Sequence, residues 1–502
     1  MPGSGPSGES GGGHLILRGA QATALGFAAR FGARLLYLFV AGRLFGVTAF
    51  GAYVLAVALV EVAVSIGNLG TKKILFQLLD GHGPQASRPV VHVVLDAALL
   101  VTGASFLLAG TMMAAAHLLP PALLPPATAT ALFLLAPMVA GQALLDLFLA
   151  ATRWKHAIRY EVVGRSLVEP YVLVGAALLA FHAGFGGYGL IVGYWCGTLA
   201  ALGYAIAGTR RHYGPFQFTG YRPERATLAA TLRSAAPNTA NDLLNALYTR
   251  VDLYLVGILL GVGPAGIYGM ARQLAVPIRQ VRQSFDGLLI PLVARTLTVR
   301  GSRATGTALA SATRLILAIQ LPILIALFAI GAALLDWFGP GFAAGYWALI
   351  ALATAEAIQA AFSIGDLMFV YLKPKLGLFV TLASILLGVV AALFLIPWLG
   401  IAGAALSVLI AYTVRAGLRA VLLRSSFEVA VPPAHYAGPI LAAASAMAAI
   451  LAVRAADAPD WAVLAAGVSV YGAALFAWLR LRGESLGLTG FATHADPPST
   501  GY

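Results

Sequence analysis

The sequence predicts an all-α, polytopic membrane protein with about 14 transmembrane helices. Twelve of these helices form two six-helix lobes related by a parallel pseudo-repeat, and two C-terminal helices follow them. Three observations support this fold class. Apolar segments long enough to cross a bilayer recur along the chain, basic residues concentrate in alternate loops, and short motifs occur twice.

The amino-acid composition places the chain in a membrane. Hydrophobic residues make up 60% of the 502 residues and charged residues only 10%, whereas a soluble domain typically has about 25% charged residues. The single cysteine, Cys196, excludes an internal disulfide. The net charge of +13 is typical of cytoplasmic loops in a membrane protein and does not indicate nucleic-acid binding.

Apolar windows of about 20 residues, bounded by turn and charge signals, define the helices. The predicted spans are 20–42, 49–70, 89–117, 127–151, 163–182, 188–208, 235–260, 264–286, 312–335, 342–371, 376–396, 400–422, 436–454 and 460–479. They group into an N-lobe at 15–210, a cytoplasmic linker at 211–234, a C-lobe at 235–423 and the additional pair at 436–480. Residues 1–14 and 483–502 are rich in small and polar residues and are predicted to be flexible tails.

Basic residues alternate between the loops. Every second loop carries Lys or Arg, for example Lys72, Arg153, Arg210, Arg300 and Lys373, while the intervening loops carry almost none. This alternation follows the positive-inside rule and predicts that both termini are cytoplasmic. We expect a multi-pass protein of a bacterial inner membrane.

Two short motifs recur at nearly the same offset. LFGVTAFGAY at 44–53 matches LLGVGPAGIY at 259–268, and GGYG at 186–189 matches GIAG at 400–403. The offsets of 215 and 214 residues predict a repeat unit of six helices. Because six is even, both copies have the same orientation, as in transporters whose halves are related by an axis along the membrane normal.

Three of these segments resemble one known family. PNTANDLLNALYTRVDLYLVGILLGVGPAGIY at 237–268 is similar to the seventh and eighth helices of the polysaccharide-transporter (oligosaccharide flippase) branch of the MATE-like, or MOP, superfamily. LLYLFVAGRLFGVTAFGAYVLA at 35–56 resembles its first hairpin, and PWLGIAGAALSVLIAY at 397–412 its helix 11–12 turn. The resemblance covers roughly residues 15–480. It implies a central cavity and alternating exposure of a lipid-linked saccharide carrier to the two sides of the membrane.

Helix 1 carries two arginines inside its predicted span. Counted from Ala20 at ~1.5 Å per residue, Arg30 lies about 15 Å and Arg34 about 21 Å into the membrane. Tyr37 shares their face. A charge at this depth normally faces a cavity or a partner. Two interpretations stay open: a cationic stripe that lines a pathway, or an arginine pair that stabilises lobe packing.

Helix 7 carries a one-sided polar face, within about 100° of the helix circumference. Its members are Asn238, Asn241, Asp242, Asn245, Thr249 and Asp252. Such a stripe on an apolar span indicates either a cavity or hydrogen bonds between packed helices. Arg250 lies off the stripe, and we expect it to pair with Asp252 or with a neighbouring helix.

Helix 8 contains the segment RQLAVPIRQVRQSFDG, in which Arg272, Arg279 and Arg282 share one face. Pro277 allows a kink in this helix. Alignment of the two halves places Arg272 near mid-membrane and Arg279 closer to the cytoplasm. Arg282 either extends to the interface or pairs there with Asp286.

The predicted substrate-binding residues combine cationic and neutral hydrogen-bonding groups. They are Arg30, Arg34, Tyr37, Asn241, Asn245, Thr249, Arg250, Arg272 and Arg279. Four acids are predicted as counter-ions of buried arginines or as proton- or cation-coupling sites: Glu61, Asp242, Asp252 and Glu356. We predict no catalytic residue, metal site or cofactor, because the sequence has no HExxH, Walker A loop or Cys/His cluster.

The arginine surplus favours a flippase for an anionic, polyprenyl-pyrophosphate-linked oligosaccharide, used in lipopolysaccharide (O-antigen) or exopolysaccharide biosynthesis. Arginine binds phosphate through paired hydrogen bonds and keeps its charge. A lipid II flippase meets the same requirement and stays an alternative. A MATE-type, cation-coupled exporter of small molecules is a further alternative, although cationic substrates favour an acidic cavity.

A membrane glycosyltransferase or polymerase is disfavoured, because the outer loops are short and nearly devoid of Asp and Glu. We therefore expect a protein that is not an enzyme. The expected partners are the lipid-linked glycan, membrane lipids and polysaccharide polymerase or assembly proteins, without nucleic acid. The chain itself is expected to be a monomer.

Overall fold

The computed structural model describes residues 9–80, 89–216, 221–223, 225–365, 368–369 and 373–483. Side chains are described in these ranges except at 9–30, 72–74, 77, 80, 225–227, 230, 286–300, 374 and 433. All regular secondary structure in this part of the chain is helical, which confirms the all-α prediction.

Sixteen α-helices form the described part of the protein. They are α1 (Glu9–Gly67), α2 (Thr71–Asp80), α3 (Val90–Leu118), α4 (Pro126–Leu135), α5 (Met138–Trp154), α6 (Arg159–Val163), α7 (Glu169–His182), α8 (Gly189–Tyr213), α9 (Arg225–Tyr248), α10 (Val251–Leu260), α11 (Val262–Phe338), α12 (Tyr346–Phe362), α13 (Pro374–Leu399), α14 (Ile401–Phe427), α15 (Ala437–Ala455) and α16 (Asp460–Arg482). A π-helical turn, Gly164–Val168, joins α6 to α7.

Ten described helices are long and apolar enough to cross a membrane, or up to twelve if each of two bent pairs is one span. The sequence analysis expected about 14 spans. Two features explain the difference. Phe31–Gly67 counts as one helix because the chain remains helical on both sides of a kink at Gly46. The part of α11 before Gly301 does not count, since its arginines and glutamines make it too polar.

Both bent pairs interrupt spans that the sequence analysis treated as straight. α4 and α5 meet at 47°, next to Pro137, which cannot donate a backbone hydrogen bond. α9 and α10 meet at 46° around Thr249 and Arg250. Conversely, α11 remains helical through Pro277, and its break in helical dihedral angles is at Gly301 (φ 76°, ψ −174°).

Backbone conformation reproduces the sequence repeat. Gly46 (φ 73°, ψ 178°) and Gly261 (φ 94°, ψ −177°) occupy equivalent positions and the same left-handed region. The second motif gives a similar pair, Gly186 with φ 52° and Gly400 with φ 59°. Since these positive φ values favour glycine over residues with a Cβ atom, both halves need their repeated glycines to make the same turns.

The first motif also brings its two copies together. A Cβ atom on Gly51 would collide with the carbonyl oxygen of Val262, and one on Gly266 would collide with that of Val47. The repeat aligns Val47 with Val262 and Gly51 with Gly266. The contact is therefore reciprocal, like the isologous contact that a two-fold axis generates.

The chain divides into two compact units. Unit 1 comprises Met1–Gly266 and Phe338–Pro340, and unit 2 comprises Ile267–Trp337 and Gly341–Tyr502. Helices α9 and α10 belong to unit 1, although the repeat assigns them to the second lobe. The glycine contact described above and an ion pair between α1 and Arg250 explain why they pack there.

Each unit has its own apolar core. In unit 1, the core joins α2, α3, α5 and α8 through residues such as Leu75, Val94 and Leu147. In unit 2, α15 and α16 pack on α11 and α12 through Ile450 and other small or branched residues. Tyr471 on α16 donates a hydrogen bond to the carbonyl oxygen of Ala318 (3.1 Å), so the two additional helices are an integral part of unit 2.

Candidate functional site

The interior of unit 1 holds a polar cluster around Arg165, in the π-helical turn. Arg165 donates hydrogen bonds to Glu169 Oε2 (2.9 Å) and Gln142 Oε1 (3.0 Å), and it forms an ion pair with Asp146. Asn68 donates to the other oxygen of Asp146 (2.9 Å). One arginine thus faces two carboxylates, and the two amides satisfy further hydrogen bonds of this buried network.

Gln142 connects the Arg165 cluster to a group of tyrosines. Its Nε2 atom donates to Thr198 Oγ1 (2.9 Å) on α8, the helix that also carries Tyr194. The ring of Tyr194 lies 6.3 Å from that of Tyr53, which lies 6.4 Å from that of Tyr37. These ring contacts extend from the Arg165 cluster to Tyr37 and Tyr53 on helix α1.

Glu61 is the acidic centre of this tyrosine group. It forms an ion pair with Arg250, in which the side chains are 42% and 27% exposed, respectively. Its charge also acts on Tyr37, Tyr53, Tyr194 and Tyr254. Arg250 occupies the N-cap of α10, so the bend between α9 and α10 places a cation opposite this acid.

Unit 1 also contains an apolar cavity of about 410 Å³. Its lining includes Leu59, Val62 and Ile66, which share one face of α1, and Tyr254 on α10. All other lining residues are apolar apart from Thr128. Unit 1 therefore contains a cavity that suits hydrocarbon.

The interior of unit 2 is more cationic. Arg279 Nη1 lies 3.1 Å from Glu356 Oε1 on α12, and the side chain of Glu356 is only 6% exposed. Arg272 is 8% exposed. Arg282 donates a hydrogen bond to Ser363 Oγ, just past the end of α12. The three arginines thus share one face of α11, and Arg272 is the most buried of them.

A second arginine pair in unit 2 lies on α14. Arg415 is 7% exposed and Arg419 is 3% exposed. Arg415 donates a hydrogen bond to Thr381 Oγ1 on α13 (3.3 Å). The i, i+4 spacing of these arginines within an apolar helix is the same pattern that drew attention to helix 1, so the sequence contained a signal for them that the sequence analysis missed.

The structure joins two predicted cations to two predicted acids. Arg250 pairs with Glu61 on a neighbouring helix, not with Asp252. Arg279 pairs with Glu356. Arg34 acts electrostatically on the hydroxyl of Tyr37, on the same face of α1.

The predicted polar stripe of helix 7 is not one continuous surface. Asn241 and Asn245 are exposed and Asp242 is half-buried. Asp252 is 4% exposed and lies beyond the bend. Thr249 donates a hydrogen bond to the carbonyl oxygen of Asn245 (3.0 Å), and this bond lies within the bend itself.

The side chains of Arg30 and Asp286, which the sequence analysis placed on helices 1 and 8, lie outside the described part of the structure. The Arg165 cluster, by contrast, is fully described and was not predicted. Arg165 lies in a π-helical turn, which shifts side chains off the ideal α-helical face, so α-helical periodicity does not reveal this cluster.

The match of a protein-family model decides the family. A model described as polysaccharide biosynthesis protein matches residues 16–297, more than half of the chain. This chain belongs to the polysaccharide biosynthesis protein family. This match confirms the family resemblance found in the sequence, and the apolar helices of the described residues are those of a multi-pass membrane protein. No curated protein matches the chain.

Solved structures show that this polysaccharide biosynthesis protein shares its fold with known transporters. Lipid II flippase MurJ in an inward closed conformation is 14% identical, with a TM-score of 0.72 over 92% of this chain and 100% of MurJ. An inward-facing multidrug resistance MATE transporter is also 14% identical, with a TM-score of 0.68 over 80% of this chain and 94% of the transporter. A MOP superfamily transporter from Pyrococcus furiosus, described as having a binding pocket of reverse polarity, gives a TM-score of 0.51 at 14% identity, over 82% and 95% of the two chains.

Proposed function

We propose that this protein moves a polyprenyl-pyrophosphate-linked oligosaccharide across the bacterial inner membrane by alternating access, for the synthesis of a cell-surface or exported polysaccharide. In this proposal the protein acts as a monomer with cytoplasmic termini, and it delivers the glycan to polysaccharide polymerase or assembly proteins. Transport requires no catalytic residue and no nucleic acid.

The charge of unit 2 carries this proposal. Five arginines, Arg272, Arg279, Arg282, Arg415 and Arg419, occupy the interior of its helices. Among the described side chains of the helices of this unit, Glu356 is the one acid away from the helix ends. Pyrophosphate is the part of the substrate that costs most to bring into hydrocarbon, and arginine compensates it with bidentate, charge-assisted hydrogen bonds.

Exchange of one anion for another explains how such a site can bind and release its substrate. In the structure Glu356 neutralises Arg279. A phosphate oxygen can take the place of the carboxylate, so that the arginine is never left charged and unsatisfied in the protein interior. The displaced Glu356 then becomes the candidate group for proton or cation coupling.

The composition of unit 1 suits the remaining parts of the substrate. The cavity next to Tyr254 offers apolar walls for part of the polyprenyl chain. The Tyr37–Tyr53–Tyr194 group and the exposed asparagines of α9 offer neutral hydrogen-bonding groups for sugars. In this unit Arg165 and Arg250 are paired with carboxylates, so the cationic face that the proposal assigns to phosphate is the one in unit 2.

A lipid II flippase is the second candidate, because its substrate also combines a polyprenyl pyrophosphate with sugars. The structural match covers 100% of the MurJ chain and 94% of the MATE transporter chain. This difference favours a lipid II flippase over an exporter of small cations. The cationic interior of unit 2 also disfavours a cation exporter, since it would repel the substrate.

The test is transport by purified protein in liposomes. A fluorescent pyrophosphate-linked oligosaccharide and fluorescent lipid II are each followed by their accessibility to an impermeant quencher. We expect the protein to accelerate movement of the oligosaccharide over empty liposomes and to move it faster than lipid II. Faster movement of lipid II supports the second candidate, and no acceleration by folded protein contradicts both.

A further inference from the structure

A cavity of about 590 Å³ lies at one end of unit 2, between α11, α12, α14 and the segment that precedes α15. Its lining includes Thr313, Phe362, Leu423 and Tyr436. This end of the unit also carries Lys373, whose Nζ atom donates a hydrogen bond to the carbonyl oxygen of Ser426 (3.1 Å). Its basic residues mark it as the predicted cytoplasmic end of the helices.

Two arginines provide the charge of this cavity. Arg419 is 3% exposed and lines its interior, whereas Arg424, just over one turn further along α14, is exposed. No Asp or Glu occurs among the described lining residues. The cavity is therefore complementary to an anion that enters from the side of Arg424 and reaches Arg419.

The remaining walls are suited to hydrocarbon. Leu309, Ile358 and Phe362 on neighbouring helices face the cavity. On α14, the lining residues Gly417 and Val421 are exposed, and a Cβ atom on Gly417 would meet open space. The cavity thus opens laterally, along a helix face whose apolar residues are exposed. It combines a basic interior with an apolar entrance.

We propose that this cavity binds an anionic membrane phospholipid, with its phosphate on Arg419 and Arg424 and its acyl chains along the exposed face of α14. Basic pockets between transmembrane helices at the cytoplasmic side bind lipid head groups by the same combination of charge and apolar surface. The inference does not depend on which substrate the protein transports. It assigns α14 a ligand that belongs to the surrounding membrane.

Native mass spectrometry of the purified protein, titrated with phosphatidylglycerol or with phosphatidylcholine, tests this site. We expect one tightly retained phosphatidylglycerol per chain and no equivalent binding of phosphatidylcholine. Arg419→Gln should weaken phosphatidylglycerol binding by at least about tenfold, the effect of losing one charge-assisted hydrogen bond. Gly417→Leu should weaken it as well by filling the entrance, and it keeps the test valid if Arg419→Gln does not fold.

Arg480→Gln is the matched control, because Arg480 is exposed on α16 outside the cavity lining, where it stacks on Phe476. It removes the same charge and should leave phosphatidylglycerol binding unchanged. Equal binding by wild type and both cavity variants, or equal retention of phosphatidylcholine, overturns the proposal. So does displacement of the lipid by inorganic phosphate at comparable concentration, or its stoichiometric displacement by the pyrophosphate-linked oligosaccharide.

Discussion

Neutralising the ion pair between Arg279 and Glu356 separates a transport role from a packing role. At the observed 3.1 Å, two unit charges attract each other by about 5 kcal/mol for an effective dielectric constant of 20. The arginine side chain is 32% exposed, and solvent screens part of this attraction. We therefore expect a coupling energy of about 3–4 kcal/mol between the two side chains.

The two single substitutions should differ in their effects. Arg279→Gln leaves the 6% exposed Glu356 without a cation and should lower the free energy of unfolding by about 3 kcal/mol. Glu356→Gln leaves a partly solvated arginine beside an amide that still accepts a hydrogen bond, so the loss should be about 1–2 kcal/mol. The double variant carries no buried charge and should return to within about 1 kcal/mol of wild type.

Chemical denaturation in detergent micelles measures these stabilities, and the liposome assay measures transport by the same four proteins. We expect the double variant to be stable but to lose transport of the pyrophosphate-linked oligosaccharide, because Arg279 is needed to bind phosphate. A stable double variant that transports at the wild-type rate would refute this reasoning and leave the pair a packing role only. If the double variant loses as much stability as the two single variants together, the two side chains are not coupled and the ion pair is not formed.

Three further predictions concern other parts of the fold. Gly51→Ala and Gly266→Ala should destabilise the protein to a similar extent, because each adds a methyl group against the backbone of the other motif. The control is Gly103→Ala, whose added methyl group meets open space within a helix; it should stabilise the protein by up to about 1 kcal/mol. Arg165→Lys should lower the free energy of unfolding by about 1–3 kcal/mol, since an ammonium group cannot reproduce the fork geometry toward two carboxylates and an amide; unchanged denaturation midpoints would contradict this. Arg272→Gln should reduce oligosaccharide transport by about tenfold or more with unchanged expression, and a loss of folded protein instead would assign Arg272 to packing.

The sequence predicted the helices and their repeat well, because both depend on local properties. Hydropathy identified the apolar segments, and recurring glycines identified the turns at Gly46 and Gly261 before their backbone angles were known. The breaks were harder to predict. Pro137 bends its span whereas Pro277 leaves α11 helical, since tertiary packing decides whether a proline ends a helix.

Pairing of charges could not be predicted from the sequence. The spacing on helix 8 placed Arg279 on a polar face, but its partner Glu356 is 77 residues away. The Arg165 cluster draws its members from the end of α1 and from α5, α7 and α8, so no single helix shows more than part of it. The surplus of arginine that the sequence analysis assigned to the whole interior is concentrated in unit 2.

Transport of one oligosaccharide on two different lipids tests the central claim most directly. The glycan is presented either on a polyprenyl pyrophosphate or on a neutral polyprenyl lipid of the same length, and its crossing of the liposome membrane is timed. We predict that the protein accelerates crossing of the pyrophosphate form only, because the arginines of unit 2 compensate its charge. Equal acceleration of both forms would contradict the account.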